Sequence, residues 1–261
     1  MSLKGKVALI TGSTSGIGLA MARAFAAEGC AIMLNGFGEA AAIAKLKEGI
    51  AQDHGVKSDY HGADMSKPAE IADLVAQTRA RLGSVDILVN NAGIQHVAAV
   101  EDFPPEKWDA IVAINLSSSF HTIRTALPLM KVKGWGRIVN VASTHGLVAS
   151  AHKIAYVAAK HGLVGLTKVV GMECADTGVT CNAICPGWVL TPLVQIQIDA
   201  RAKEQGISSQ QAARNLIAEK QPQLQFTRPE QIAGLAVFLA SDTASNMQGT
   251  QLVSDGGWTA Q

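Results

Sequence analysis

Apolar residues occur along this chain in short runs that alternate with longer stretches in which they recur every three or four residues. The runs predict buried strands, and the longer stretches predict amphipathic helices. The predicted strands are Val7–Thr11, Ala31–Asn35, Lys57–Gly62, Ile87–Asn90, Arg137–Ser143, Val179–Ile184 and Gln251–Val253. The predicted helices include Gly16–Glu28, Pro68–Leu82, Glu106–Met130, Tyr156–Asp176 and Pro229–Ala240. This alternation indicates a doubly wound α/β fold, a seven-stranded parallel sheet with helices on both faces.

The composition fits one globular unit. The chain has 261 residues, of which 48% are apolar and 16% are charged, and α/β folds of about this size are common as single domains. We therefore expect one domain over residues 1–261. Its least strand-like part is 190–226, where a helix is predicted over Ser208–Ala218.

Charge and hydropathy exclude several classes of function. A net charge of +1 gives no reason to expect a nucleic-acid partner. No apolar run reaches the roughly 18 residues that a membrane helix needs, and the start of the chain runs into a strand without a signal-peptide core. We expect a soluble cytoplasmic protein.

The cysteines and histidines do not suggest a metal site. The four cysteines form no C-x-x-C pair, and the seven histidines lack ligand spacing such as H-E-x-x-H. We expect the cysteines to be reduced core residues, and we predict no metal.

A glycine-rich turn directly follows the first predicted strand. Its glycines let the backbone approach a pyrophosphate, and the helix that begins near Gly16 offers unpaired N–H groups. The spacing G-x-x-x-G-x-G differs from the usual G-x-G-x-x-G, so a purely structural turn is the alternative. The residues expected to bind a dinucleotide here are Gly12, Thr14, Ser15, Gly16, Ile17 and Gly18.

The end of the second strand favours NAD over NADP. Many dinucleotide-binding folds place an acid here for the ribose, whereas this chain has Asn35, followed at two positions by Phe37. An amide can still hydrogen-bond a ribose. No Arg or Lys lies in 12–18 or 34–38 to hold a 2′-phosphate, although a basic residue could arrive from elsewhere in the fold.

Two further strand ends carry polar or small residues. Asp64 follows the third strand, and Asn91, Ala92 and Gly93 follow the fourth. Ligands bind at this edge of parallel sheets, so we expect these residues to contact the cofactor. Each is also an ordinary turn former.

Ser143, Tyr156 and Lys160 are the candidate catalytic group. Tyr156 and Lys160 lie four residues apart, so one helix face presents both, and an ammonium near a phenol favours the phenolate. Tyr156 is therefore a candidate acid/base, with Ser143 holding the reacting oxygen. A half-buried aromatic beside a solvated lysine is the alternative.

Asn115 lies within the predicted helix, where its amide competes with backbone hydrogen bonds. It could line a water path, fix the backbone near Lys160, or face solvent.

These motifs together resemble the short-chain dehydrogenase/reductase family, in order and over essentially the whole chain. The resemblance implies a Rossmann fold in which Ser143 positions the substrate oxygen, Tyr156 transfers the proton and Lys160 binds the nicotinamide ribose. It implies that Asn115 holds a water in a proton relay. It also places Pro186, Gly187, Val189 and Thr191 beside the nicotinamide.

Polar residues around this centre indicate the substrate. Gln95, His145, Lys153 and Gln197 are not required by the catalysis itself, and a lysine with neutral polar groups suits a carboxylate. Each could instead be a surface residue. The stretch 190–226 would then act as a substrate lid.

A closer resemblance, to the bacterial D-3-hydroxybutyrate dehydrogenases of this family, rests on the segments around Gln95, His145, Trp188 and Trp258. It implies that the four polar residues bind the acid group, that both tryptophans wall the pocket, and that the enzyme is a homotetramer. Open alternatives are a dehydrogenase of another small alcohol or polyol, a 3-oxoacyl thioester reductase, and a non-catalytic dinucleotide sensor.

Overall fold

The computed structural model describes residues 3–260, and a parallel sheet lies at its centre. In the described residues its strands are β1 (Val7–Ile10), β2 (Ala31–Asn35), β3 (Ser58–His61), β4 (Ile87–Asn90), β5 (Gly136–Val141), β6 (Val179–Pro186) and β7 (Gln251–Ser254). They lie in the order β3-β2-β1-β4-β5-β6-β7, and every pair is parallel. The order reverses direction between β1 and β4, and ligands bind beyond the strand ends at such a point.

Helices connect the strands and cover the sheet. They are α1 (Gly16–Ala27), α2 (Ala40–His54), α3 (Pro68–Leu82), α4 (Pro105–Val112), α5 (Ser118–Lys133), α6 (Ile154–Glu173), α7 (Pro192–Gln205), α8 (Ser209–Ala218) and α9 (Pro229–Ala240).

The central strands are buried on both faces because helices cover each face, and successive strand residues point to opposite sides. In β1, Ala8 and Ile10 pack with α1 and α9, whereas Leu9 packs with α3 and α5. The same alternation runs through the neighbouring strands, which explains why they appear in the sequence as continuous apolar runs. The predicted doubly wound fold is confirmed.

The single helix predicted over Glu106–Met130 is wrong in one respect. The structure divides it into α4, a π-helical turn (Ala113–Ser117) and α5. A π turn holds one more residue than an α turn, and such insertions are frequent at functional sites. Asn115 lies inside this turn.

Two helices were not predicted. In α2 only Ile50 is buried, so its apolar periodicity is weak. Helix α7 begins at Pro192 behind Thr191, whose Oγ1 accepts from the Val194 N–H at 3.4 Å, and it packs with α8 on a small separate core. The helix predicted over Ser208–Ala218 is confirmed as α8.

Within residues 3–260, no helix combines the length and hydrophobicity needed to cross a bilayer. All four cysteines are buried with free thiols.

Candidate active site

One cleft opens at the carboxyl ends of the central strands, where β1 and β4 diverge. Every residue predicted for the site lines it except Gly18 and Asn115. The sequence-based prediction missed other lining residues, including Ile94, Thr144 and Leu193. These lie directly beside predicted residues, but nothing in their types marks them as part of a site.

The turn between β1 and α1 is shaped for an anionic group. Gly12 has φ +62°, and a Cβ there would lie 2.9 Å from Ala92 Cα. Gly18 is buried beneath the turn, and its Cβ would lie 2.3 Å from the Gly12 carbonyl oxygen. Ser15 precedes α1 without making a side-chain cap, and the first turn of the helix holds no acid. The unpaired N–H groups and the open backbone therefore fit a pyrophosphate.

Asn35 does not have the contacts expected of it. Its side chain is fully buried, its Oδ1 accepts from the Gly12 N–H at 3.2 Å, and its Nδ2 donates to the carbonyls of His61 and Ala63 at 3.1 and 3.0 Å. Both ends of the amide thus join the glycine turn to β3. The amide is not available to bind a ribose hydroxyl, so the expected contact is corrected. Phe37, which is 69% exposed, lines the cleft near Asn35.

Asp64 lines the same cleft as Asn35 and Phe37. Its Oδ1 accepts from the Ser66 N–H and hydroxyl at 2.9 and 2.7 Å, and these bonds hold its pKa below the usual range. Among the described residues that line the cleft, Asp64 is the only carboxylate.

Two asparagines fix the loops around the cleft. Asn91 Nδ2 donates to the carbonyls of Thr11 and Gly12, both at 3.0 Å. Asn115 is buried, and its amide accepts from the Ile94 N–H and donates to the Ile94 carbonyl, both at 2.9 Å. The solvent-facing alternative for Asn115 is therefore excluded. Its amide holds the loop after β4, and the water relay implied by the family resemblance stays a prediction.

The structure brings Ser143, Tyr156 and Lys160 together. Ser143 follows β5, and its Oγ accepts from the His145 N–H at 3.1 Å and lies close enough to the Tyr156 phenol to lower the pKa of that group. Lys160 Nζ donates to the Val141 carbonyl at 2.7 Å and lies 5.6 Å from the centroid of the Tyr156 ring. Helix α6 and the end of β5 thus hold all three groups.

Burial shifts the pKa values of this group in a way that the sequence did not indicate. It raises the pKa of the Tyr156 phenol, and the hydrogen bond from Ser143 opposes that shift. It also lowers the pKa of Lys160 to about 8. The expected lowering of the tyrosine pKa by the lysine is therefore not what this geometry gives. Ser143 is the neighbour that favours the phenolate.

The two ring nitrogens of His145 lie near two serine hydroxyls. Its Nδ1 lies 3.5 Å from Ser143 Oγ and its Nε2 lies 3.0 Å from Ser150 Oγ. Its ring packs edge-to-face on Tyr156 and Trp258. Burial, reinforced by the charges of Lys153, Lys220 and His161, lowers its pKa to about 4, so the imidazole is neutral.

The other predicted substrate residues form a polar end beside a tryptophan wall. Lys153 Nζ lies 4.9 Å from the centroid of the Trp188 ring, and burial lowers the pKa of this lysine. Gln95 Nε2 is buried and has no hydrogen-bond partner, whereas Gln197 Nε2 makes one 3.4 Å bond to the Leu193 carbonyl. Trp188 and Trp258 stack with their centroids 6.2 Å apart.

The turn after β6 depends on a buried glutamine that the sequence did not single out. Gln221 Oε1 accepts from the Trp188 N–H at 2.8 Å, and its Nε2 donates to the Gln225 carbonyl. A Cβ at Gly187 would lie 2.7 Å from Gln221 Oε1. This packing holds Pro186–Trp188 against the cleft.

No cluster of three potential metal ligands occurs among the described His, Cys, Asp and Glu side chains.

Two known enzymes have sequences similar to that of this chain. The D-beta-hydroxybutyrate dehydrogenase of Cupriavidus necator is 63% identical over 260 residues, covering 99% of this chain and 100% of that one. The enzyme of the same name from Rhizobium meliloti is 56% identical over 256 residues, covering 98% and 99%.

Among solved structures, an actinorhodin polyketide ketoreductase determined with NADPH superposes with a TM-score of 0.92 at 35% identity, covering 100% of both chains. A sequence model described as short chain dehydrogenase matches residues 6–202. The chain belongs to the short-chain dehydrogenase family.

Proposed function

We propose that this protein is an NAD-dependent oxidoreductase that interconverts D-3-hydroxybutyrate and acetoacetate. One observation carries the proposal: the cleft that holds Ser143, Tyr156 and Lys160 also holds a half-buried lysine, Lys153, and an unpartnered amide donor, Gln95. A short hydroxy acid needs both a proton-transfer centre and a cationic end. The two relatives named above support the same substrate.

The catalytic roles follow from the positions of the side chains. The nicotinamide cofactor, when bound, takes up or gives the hydride. Ser143 donates to the oxygen of the alcohol or ketone, and Tyr156 takes the hydroxyl proton during oxidation or returns it during reduction. Lys160 binds the nicotinamide ribose, and its bond to the Val141 carbonyl holds the ammonium in place.

Other residues of the cleft would hold the cofactor along its length. The unpaired N–H groups of the first residues of α1 would bind the pyrophosphate. Asp64 and Phe37 line the cleft and would contact the adenosine, and 186–191 would run beside the nicotinamide. Asn91 and Asn115 fix the loops that form the walls.

Charge within the cleft supports NAD over NADP. Among the described lining residues, the only lysines are Lys153 and Lys160, which lie at the substrate end, and no arginine lines the cleft. A 2′-phosphate would instead meet Asp64. Because a carboxylate repels a phosphate, we expect NADP to bind poorly.

Gln95, Lys153 and Gln197 would bind the carboxylate of the substrate. The stacked tryptophans, Trp188 and Trp258, limit the length of the chain that fits. Helix α7 lines this end and α8 packs against α7, and we propose that residues 190–226 act as a lid within a single domain.

The alternatives require other features. A polyol or neutral alcohol leaves the Lys153 ammonium without a partner. A 3-oxoacyl thioester reductase is expected to use NADPH, the cofactor present in the related ketoreductase structure. It would then need cations at the adenosine end of the cleft to bind the 2′-phosphate. A non-catalytic sensor has no use for Ser143, Tyr156 and Lys160 in one cleft. We further propose a cytoplasmic homotetramer.

The proposal is tested by NADH formation with a panel of substrates. The protein is mixed with NAD or NADP and with D-3-hydroxybutyrate, its L enantiomer, threitol or butan-2-ol, and the absorbance of the reduced cofactor is followed. We expect D-3-hydroxybutyrate with NAD to exceed every other pair by about tenfold or more in kcat/KM. Faster oxidation of threitol or butan-2-ol contradicts the substrate, and equal use of NADP contradicts the cofactor.

A further inference from the structure

The bend that follows β3 depends on the side chain of His61, the last residue of that strand. Strand β3 lies at one edge of the sheet and pairs with β2 along one side, so other contacts have to fix the chain beyond its end. Ala63, Asp64 and Met65 come after this end and line the cleft. His61 is not among the residues that line it.

The ring of His61 closes the bend, and its contacts select one tautomer. The Ala63 N–H donates to His61 Nδ1 at 3.2 Å, and His61 Nε2 lies 3.0 Å from Asp73 Oδ2 of α3. A backbone N–H can only donate, so Nδ1 is the acceptor, and a neutral imidazole then carries its proton on Nε2. That N–H donates to the Asp73 carboxylate. The same hydrogen bond is the largest cause that holds the pKa of Asp73 below its usual range.

The bend also holds the glycine turn through Asn35. Asn35 Nδ2 donates to the carbonyls of His61 and Ala63 at 3.1 and 3.0 Å, and its Oδ1 accepts from the Gly12 N–H at 3.2 Å. Both carbonyls face one nitrogen because residues 61–63 are bent, and the bond between the Ala63 N–H and the His61 ring closes that bend. A change of the bend would therefore move Asn35 and, through it, Gly12.

Helix α3 anchors the other side of the bend. Asp64 follows it directly, and the Asp64 N–H donates to Glu70 Oε2 at 2.8 Å. Glu70 and Asp73 both belong to α3, so one helix holds the ring of His61 and the start of the loop that carries Asp64 into the cleft.

We propose that His61 is a positioning residue for the dinucleotide, whose neutral ring, with its proton on Nε2, keeps the bend after β3 in the shape that binds the adenosine half of the cofactor. The ring accepts from Ala63 on one nitrogen and donates to Asp73 from the other. His61 contacts neither the reacting atoms nor the substrate. The inference rests on the dinucleotide site of the proposed function and on no particular substrate.

The first test measures the Kd for NADH by fluorescence titration. His61→Leu removes the acceptor, whereas His61→Asn keeps one, because an asparagine side chain accepts from the N–H two residues further on. His54→Leu is the matched control, the same change at a histidine that ends α2 and does not line the cleft. We expect His61→Leu to raise the Kd roughly 5-fold to 20-fold, and the other two variants to stay within about twofold of the wild type. An unchanged Kd in His61→Leu, or an equal rise in His61→Asn, overturns the proposal.

ADP-ribose separates positioning from a general loss of structure. It carries the adenosine and the pyrophosphate but no nicotinamide, so calorimetry should show the same fold loss of affinity in His61→Leu as for NADH. At saturating NAD, kcat and the KM for D-3-hydroxybutyrate should stay within about twofold of the wild type, because Ser143 and Tyr156 belong to other elements. A fall in kcat as large as the loss of NADH affinity contradicts the proposal.

A second readout needs neither activity nor a variant. The nitrogen NMR shifts of the His61 imidazole in the wild-type protein report which nitrogen carries the proton, and we expect Nε2–H. A wild-type proton on Nδ1 overturns the assignment even if the protein oxidises 3-hydroxybutyrate. Conversely, failure of every substrate in the panel, with Nε2–H and the His61→Leu loss of affinity both observed, overturns only the proposed substrate.

Discussion

Replacing Lys153 by methionine removes the ammonium but keeps the aliphatic stem beside Trp188. In the structure Lys153 Nζ lies 4.9 Å from the centroid of the Trp188 ring, within the same cleft as Tyr156. A carboxylate that leaves water for this site needs a charged donor. Losing that donor costs about 2–4 kcal/mol, so kcat/KM for 3-hydroxybutyrate should fall roughly 30-fold to 1,000-fold.

The assay compares a charged and an uncharged substrate. D-3-hydroxybutyrate and butan-2-ol are oxidised by the wild type, by Lys153→Met and by the control Lys220→Met. Lys220 is exposed, does not line the cleft, and yet lies close enough to lower the pKa of His145, so it matches Lys153 in charge and neighbourhood. Butan-2-ol should be a poor substrate of all three proteins, and its kcat/KM should fall by less than about threefold on either substitution.

The pH dependence gives an independent check. Burial lowers the pKa of Lys153, and the charge of Glu219 opposes the shift. A lysine is charged below its pKa, so the preference for the charged substrate should be full at pH values well below the pKa of Lys153. It should fall as the pH rises, earlier than for an ordinary lysine. If kcat/KM falls equally for both substrates in Lys153→Met, the lysine acts by positioning α6, which begins at the next residue. That result refutes the claim that Lys153 binds the substrate carboxylate.

Three further substitutions test the site. Tyr156→Phe should keep cofactor affinity, measured by NADH fluorescence, within a few fold and lower kcat by about 100-fold or more; near-normal kcat contradicts the proton-transfer role. Asn35→Asp exchanges a buried donor for a second acceptor beside two backbone carbonyls, so chemical denaturation should show a loss of about 2–3 kcal/mol, and unchanged stability contradicts the hydrogen bonds described. Gly18→Ala places a Cβ 2.3 Å from the Gly12 carbonyl oxygen, and NADH titration should show at least about tenfold weaker binding; an unchanged Kd contradicts the packing of the turn.

The sheet could be predicted because burial on both faces leaves a plain signal in the sequence. Leu9 and Ile10 are both apolar and buried, although they point to opposite faces of the sheet. Once the strand order of a doubly wound fold is assumed, the strand ends must meet at one edge, so Asp64, Asn91 and Ser143 were correctly expected in one cleft. Their side-chain partners were not predictable in the same way.

Contacts between distant segments account for most of the differences. The amide of Asn35 is used by carbonyls of residues 26 and 28 positions further along the chain, which no local pattern indicates. The π turn at Asn115 depends on Ile94, a residue 21 positions away. Helix α2 was missed because a mostly exposed helix carries little apolar periodicity.

The predicted direction of the Tyr156 pKa shift is wrong for a related reason. Sequence spacing places Lys160 one turn from Tyr156, but it does not show that both groups are buried. Nor does it show that the ammonium is held by the Val141 carbonyl. Desolvation then raises the pKa of Tyr156, and only the contact with Ser143 opposes it.

The central claim is tested most directly by competition in one vessel. The protein is incubated with NAD and equal concentrations of D-3-hydroxybutyrate, L-3-hydroxybutyrate, threitol and butan-2-ol, each isotopically labelled, and the ketones formed are quantified by mass spectrometry against NADH. The account predicts that acetoacetate from the D enantiomer makes up at least about nine-tenths of the product and equals the NADH formed. A mixture dominated by any other ketone, or by acetoacetate from the L enantiomer, contradicts it.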